Sequence, residues 1–131
     1  MLIVAAGCGT TYVDESLVTT TPATIVTTTI VAQPVSTRDD VVIVLGRIAD
    51  AMDQLSDAIV DDAERATQLL AAIDADWQEV NAWVRSERPA DLFGFEQVVS
   101  LAHSAVESRR PADASKGWKL LIDLNADVAS R

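Results

Sequence analysis

The stretch STRDDVVIVLGRIADAMDQLSDAIVDD, residues 36–62, decides the fold. Within it Val41, Leu45, Ile48, Met52, Leu55 and Ile59 recur at spacings of four and three, the interval that returns to one side of a helix. Arg47, Asp50, Asp53 and Asp57 fall off that stripe. Ser36 or Thr37 can cap its start, and Asp39 and Asp40 stand in the first turn, where the helix dipole favours negative charge. The stripe resumes as Ala63, Ala66, Leu70, Ile73, Trp77, Val80 and Val84. Between Ile59 and Ala63 the alternation slips to two successive spacings of four, with Asp61 and Asp62 at the slip. One long helix with a stutter and two helices joined by a tight turn at Val60-Asp61-Asp62 both fit residues 39–86. The shortness of the helices downstream favours two, with either aspartate as the N-cap of the second.

A small repeat marks the rest of the chain: Arg88-Pro89-Ala90-Asp91 recurs as Arg110-Pro111-Ala112-Asp113. After Pro89 the apolar positions are Leu92, Phe95, Val99, Ala102 and Val106. The same offsets after Pro111 give Ala114, Gly117, Leu121, Leu124 and Val128, with Trp118 beside the small Gly117. Proline suits the first position of a helix, where no N–H is needed, and the residue before it resists helix. The expectation is a third helix from about Pro89 to Arg109 and a fourth from about Pro111 to Ser130. Four helices with short connections pack as antiparallel neighbours, so the predicted fold is all-α, an up-down four-helix bundle. Trp77, Trp83, Phe93, Phe95 and Trp118 supply its large side chains. Phe93 and Phe95 lie about 200° apart on one helix, which places Phe95 inside and Phe93 at a boundary.

The residues before the bundle have another character. Between positions 9 and 37 threonine dominates, Pro22 and Pro34 interrupt, and no helical period runs through. β-branched residues favour extended backbone, and proline adds stiffness. The favoured reading is an extended or disordered tether, of a composition that also fits a glycosylated stalk. The competing reading is a hairpin between the runs 23–26 and 28–32, which alone is marginal in water.

At the start, Leu2-Ile3-Val4-Ala5-Ala6-Gly7-Cys8 ends on the chain's one cysteine. Small residues before a lone cysteine at the end of an apolar run resemble a bacterial lipobox. The resemblance implies cleavage before Cys8 and a diacylglycerol, with palmitate-type acyl chains, on its thiol. No Lys or Arg precedes Cys8, and the run is shorter than the roughly 7–15 apolar residues of a signal core. Either the true start lies upstream of Met1 or the signal is vestigial. The alternative is a free or buried thiol near the terminus. The chain therefore divides into 1–8, a truncated signal; 9–37, the tether; and 38–131, the bundle.

Composition narrows the function. Twenty acidic against ten basic side chains leave a net charge of −10, which phosphate backbones and anionic headgroups both repel. Nucleic acid is not an expected partner, and membrane residence has to come from acyl chains. A single cysteine rules out an internal disulfide and a multi-cysteine zinc site. No nucleophile elbow, phosphate loop or dinucleotide fingerprint occurs. Ser100 and Ser104 flank His103 at spacings that do not orient a triad.

Two residue sets remain as candidate sites. Glu96, His103 and Glu107 fall within about 20° of one line on the third helix, and carboxylate with imidazole can bind a transition metal. The competing and favoured reading is the solvated edge of an amphipathic helix, since the chain lacks the Glu-x-x-His pairs of di-metal bundles. Trp83, Phe93 and Trp118 can line a pocket or form a docking patch, although tryptophans at helical spacing are more often core. Asp74, Asp76 and Glu79 around Trp77 could supply oxygen ligands to a cation, but the favoured reading is the exposed face of an amphipathic helix. The acids at 57, 61, 62 and 64 lack the rhythm of a calcium loop.

The last 90 or so residues also carry a family likeness. Leu55-x3-Ile59-x-Asp61-Asp62-x2-Arg65-Ala66, then Trp77-x2-Val80, then Phe95-Glu96-x9-Ala105-Val106-Glu107, then Pro111-Ala112-Asp113 is similar to helical domains of actinobacterial-type lipoproteins, some of which accompany imelysin-like iron-uptake systems. The resemblance implies an extracytoplasmic bundle and a metal-handling partner. The histidine-bearing metal motif of that kind does not occur here, and no ligand residue is carried over.

The expected function is a lipid-anchored protein on the outer face of the cell membrane, a non-enzymatic interaction or ligand-binding module with an envelope protein as partner and no cofactor. A metal-binding accessory of an iron-uptake system is the second reading, and a soluble helical domain without a lipid anchor the third.

Overall fold

The computed structural model describes residues 35–131. Cys8 and the expected tether up to residue 34 lie outside the described residues. Four helices follow one another: α1 Arg38–Asp61, α2 Ala63–Glu87, α3 Leu92–Glu107 and α4 Pro111–Ser130. Among the described residues there is no strand.

Each helix starts and stops for a local reason. Thr37 is extended (φ −113°, ψ 153°) and caps α1. Its hydroxyl accepts from the Asp40 N–H at 3.2 Å and donates to the Asp40 carboxylate at 2.5 Å. The chain breaks at Asp62 (φ −147°, ψ 90°), as the slip in the stripe predicts. The Asp62 carboxylate accepts from the Arg65 N–H at 2.9 Å, while the Asp62 N–H still closes α1 on the Ala58 carbonyl at 2.8 Å. One residue thus ends one helix and caps the next.

The two Arg-Pro-Ala-Asp copies differ. In the second, Arg110 is extended and Pro111 opens α4 at its first position, as expected. In the first, the helix begins at Leu92 rather than near Pro89, because residues 89–91 form the reversal itself: the Asp91 N–H bonds the Arg88 carbonyl at 3.0 Å. The Asp91 side chain receives Nε of Arg88 at 2.8 Å instead of capping α3. The same helix also ends earlier than Arg109. Its last turn closes through a Schellman-type pair, Arg110 N–H to Ala105 carbonyl at 2.8 Å and Arg109 N–H to Val106 carbonyl at 3.3 Å. This geometry places Arg109 in the left-handed region at φ 52°, a position usually held by glycine.

Side-chain pairs establish the directions. Arg47 meets Asp76 and Glu79, and Arg65 meets Gln54, so α1 and α2 run antiparallel. Arg85 meets Glu96 and His103 meets Asp74, which reverses α3 on α2. Ser104 meets Asp113, which reverses α4 on α3. α4 closes the ring against α1, and α1 reaches across the middle to α3. The arrangement is the expected up-down bundle.

The core belongs mainly to α1. Ten of its 24 residues are buried, among them the predicted Val41, Leu45, Ile48, Met52, Leu55 and Ile59, against four on each other helix. Among the described residues no buried residue is polar or charged. Gly117 is buried where α4 packs against both α1 and α3: a Cβ there would collide with the terminal methyl of Met52 on α1 and lie 3.3 Å from the Leu101 Cβ on α3. The aromatic side chains are placed differently from expectation. Phe95 is buried, but Trp77, Trp83 and Trp118 are half-buried against the core, and Phe93 is 76% exposed rather than at a boundary. Apart from Phe95 the fill at the centre is aliphatic, and the tryptophans cover seams.

Candidate functional site

Glu96, His103 and Glu107 do share one line on α3, but they do not converge. A rise of 1.5 Å per residue sets Glu96 and His103 about 10 Å apart along the axis, and Glu107 another 6 Å or so on. Each near carboxylate or imidazole engages α2 instead. Glu96 accepts from Arg85 at 3.2 Å, and Nε2 of His103 lies 2.9 Å from Oδ1 of Asp74. Glu107 is exposed. Among the described residues no group of three His, Cys, Asp or Glu side chains is placed to hold a metal ion. The line is one half of a polar seam whose other half is on α2.

That seam is the thinnest junction between chain neighbours in the bundle. Its apolar part is the stack of Trp77 on Phe95, with ring centroids 6.0 Å apart and planes at 21°. Its polar part consists of the two pairs just named, both exposed enough for water to screen them.

Trp83, Phe93 and Trp118 do not form one patch. Trp83 lies seven residues from Asp76, about 20° round α2, and Asp76 faces α1 through Arg47. On α4, Asp113 and Leu124 face α3 through Ser104 and Gly94. Trp118 lies about 120–140° round the helix from both, towards α1. Phe93 points to solvent from the first turn of α3.

Two arginine clamps stand out instead. Arg47 spans α1 to α2, 2.9 Å from Asp76 and 2.5 Å from Glu79. The hydrogen bond to Asp76 dominates and holds the guanidinium above its ordinary pKa, against a smaller opposing effect of burial. Arg88 spans the α2–α3 turn and the last turn of α4, binding Asp91 and Asp127. Its side chain is 15% exposed. Burial by itself would loosen the proton, but the hydrogen bonds to Asp91 and Asp127 outweigh it and the pKa is raised. Sequence spacing offered a signal for half of this clamp, since Arg88 and Asp91 are three apart in the repeat. It offered none for Asp127.

The hollows are small and open. One of about 320 Å³ is lined by Arg38, Trp83, Glu87, Arg88 and Arg131, at the end where the chain enters α1. One of about 200 Å³ lies at the opposite end, lined by Ile59, Ala63, Ala66, Thr67, Val106 and Arg109. A third, about 180 Å³, is acidic, with Asp57, Asp61 and Asp62 beside Gln54 and Arg65. Pockets for whole small molecules run to roughly 300–1,000 Å³ with apolar walls. The 320 Å³ hollow reaches that size but has mostly charged walls; the 200 Å³ one, with a more apolar lining, is smaller. Among the described residues no helix is long and apolar enough to cross a membrane. No family model matches the chain, and no curated protein or solved structure is significantly similar to it.

Proposed function

We propose that the chain is a lipid-anchored extracytoplasmic protein whose helical bundle acts as a non-enzymatic interaction module. One observation carries the address: the only cysteine closes an apolar run and is followed by a Thr/Pro-rich segment leading into a helical body. Residues 9–34 number 26, a reach of at most about 90 Å if fully extended. They join the bundle at the start of α1, so the α1–α2 turn is the end remote from that junction.

The binding role draws support from the placement of apolar side chains. Ile43, Val60, Phe93 and Ile122 are all substantially exposed on an otherwise acidic body. Ion pairs and hydrogen bonds, meanwhile, occupy the polar groups of the α2–α3 seam.

Intact-mass measurement of the membrane fraction from the native host tests the proposal. The expected result is a mass gain of two or three acyl chains on Cys8, and release of the Cys8→Ser variant to the soluble fraction. A soluble wild type of unmodified mass would remove the anchor from the account.

A further inference from the structure

Two residues at the α1–α2 turn end are in locally unfavourable settings, and they carry opposite charges. Arg109 occupies the left-handed region at φ 52°, which is unfavourable for any residue with a side chain. Asp61 is the final residue of α1, whose last turn has no basic residue, so its carboxylate faces the negative end of the helix dipole. Asp62 beside it is accounted for as the cap of α2; Asp61 is not. Neither Asp61 nor Arg109 forms an ion pair among the described residues. Local conflicts of this kind concentrate where a structure meets something else.

The surroundings indicate what that something is. Arg109 lines the 200 Å³ groove together with Ile59, Ala63, Ala66, Thr67 and Val106. The groove fits one aliphatic side chain with a carboxylate next to it. The chain itself presents that pair at the same end: Val60, 69% exposed, followed by Asp61. We propose that two copies of this chain associate through their α1–α2 turn ends, Val60 of each entering the groove of the other and Asp61 of each pairing with Arg109 of the other. Both halves of the contact lie on adjacent residues, so a two-fold axis beside Val60 makes both exchanges at once, the self-complementary form of a symmetric dimer. The net charge of −10 opposes any broad contact. At physiological salt, charges beyond about 8 Å are screened, so what opposes the contact is the acidic group at this end, Asp57 and Asp62 beside Asp61, with Arg65 among them. One side chain and one ion pair contributed by each copy place it among the weak, transient contacts. The contact involves neither Cys8 nor an acyl chain, and stands apart from the anchor.

The experiment is sedimentation equilibrium on the full chain carrying Cys8→Ser, so that neither a disulfide nor a lipid joins the copies. Concentrations run to about 1 mM, where an association of only about −4 kcal/mol is half populated. A monomer–dimer equilibrium is expected, weakened about tenfold or more by Arg109→Glu and by Asp61→Arg. The double charge swap should restore it, with circular dichroism showing all variants folded. A wild type that stays monomeric throughout overturns the proposal. So does a dimer indifferent to either reversal, or a double variant that fails to recover.

Discussion

The same substitution, glycine to alanine, should act with opposite sign at two helical positions of this bundle. Alanine is favoured over glycine in a helix interior by about 0.8–1.0 kcal/mol. At Gly46 on α1 an added Cβ meets nothing within 4 Å, so the full gain should appear. At Gly117 on α4 the new methyl would collide with the Met52 methyl and press on the Leu101 Cβ at 3.3 Å. The Met52 end can swing away, but a Cβ is fixed to its backbone. Overpacking of a close crossing costs about 1–3 kcal/mol, which exceeds the propensity gain and leaves a net loss of about 1 kcal/mol. Gly94 is the intermediate case. Its nearest atoms are the Leu124 methyls at 3.2 and 3.3 Å, on a side chain that can yield, and the change there should be near neutral. Urea unfolding of the three variants reads this directly. With a slope of about 1 kcal/mol/M for a small domain, Gly46→Ala should raise the midpoint by nearly 1 M and Gly117→Ala should lower it by about as much, at constant slope. Gly117→Ala with Met52→Ala should lose less than the sum of the two single variants, because they share one volume. If Gly117→Ala stabilises as much as Gly46→Ala, α4 does not approach α3 as closely as described, and the packing argument fails.

Other substitutions test the joints. Arg109→Gly should raise stability by about 1 kcal/mol in thermal unfolding of the Cys8→Ser chain at low concentration, since glycine takes the left-handed position without penalty. Asp62→Ala removes the carboxylate that caps α2 and should cost about 1 kcal/mol in urea unfolding. Arg88→Ala should cost about 1.5–3 kcal/mol, the usual range for a covered charged hydrogen bond, and the α3 first turn and α4 last turn should lose hydrogen-exchange protection together. A double-mutant cycle on His103 and Asp74 should give a coupling of about 0.5 kcal/mol or less, because both side chains are more than a third exposed and water screens the pair.

Helical periodicity foretold most of the architecture because the stripe on α1 is also the core of the molecule. Val41, Leu45, Ile48, Met52, Leu55 and Ile59 are all buried. The slip after Ile59 marked the break at Asp62, since an aspartate in extended backbone can satisfy the next helix's first amides. Pro111 marked the start of α4 for a comparable reason. Pro89 misled because identical local sequence met different tertiary demands: Arg88 turns inward to Asp127, 39 residues away, and draws Asp91 out of its capping role. The tryptophans were misplaced because periodicity records which side of a helix a residue lies on, not how deep the neighbouring helix sits. For the candidate sites, the shared line of Glu96, His103 and Glu107 was legible, but their engagements with Arg85 and Asp74 were not. Such partners come from another helix, at a register that intrahelical spacing does not encode. The left-handed Arg109 had no sequence signal at all, because the signal for that conformation is glycine.

The dominance of α1 in the interior has a consequence for how the chain acquires its shape during synthesis. α1 is the earliest of the four helices to leave the ribosome, yet it is covered on one flank by α4, the last. Until α4 has emerged, the Met52 level of α1 lacks the cover that Gly117 provides, and a nascent chain ending after α3 exposes an open aliphatic trough. Domains generally assemble as whole units as translation supplies them. Here completion waits for the twenty residues of α4, so a chain stalled or clipped within α4 should be a substrate for holdase chaperones and proteases, not a slightly shortened native protein.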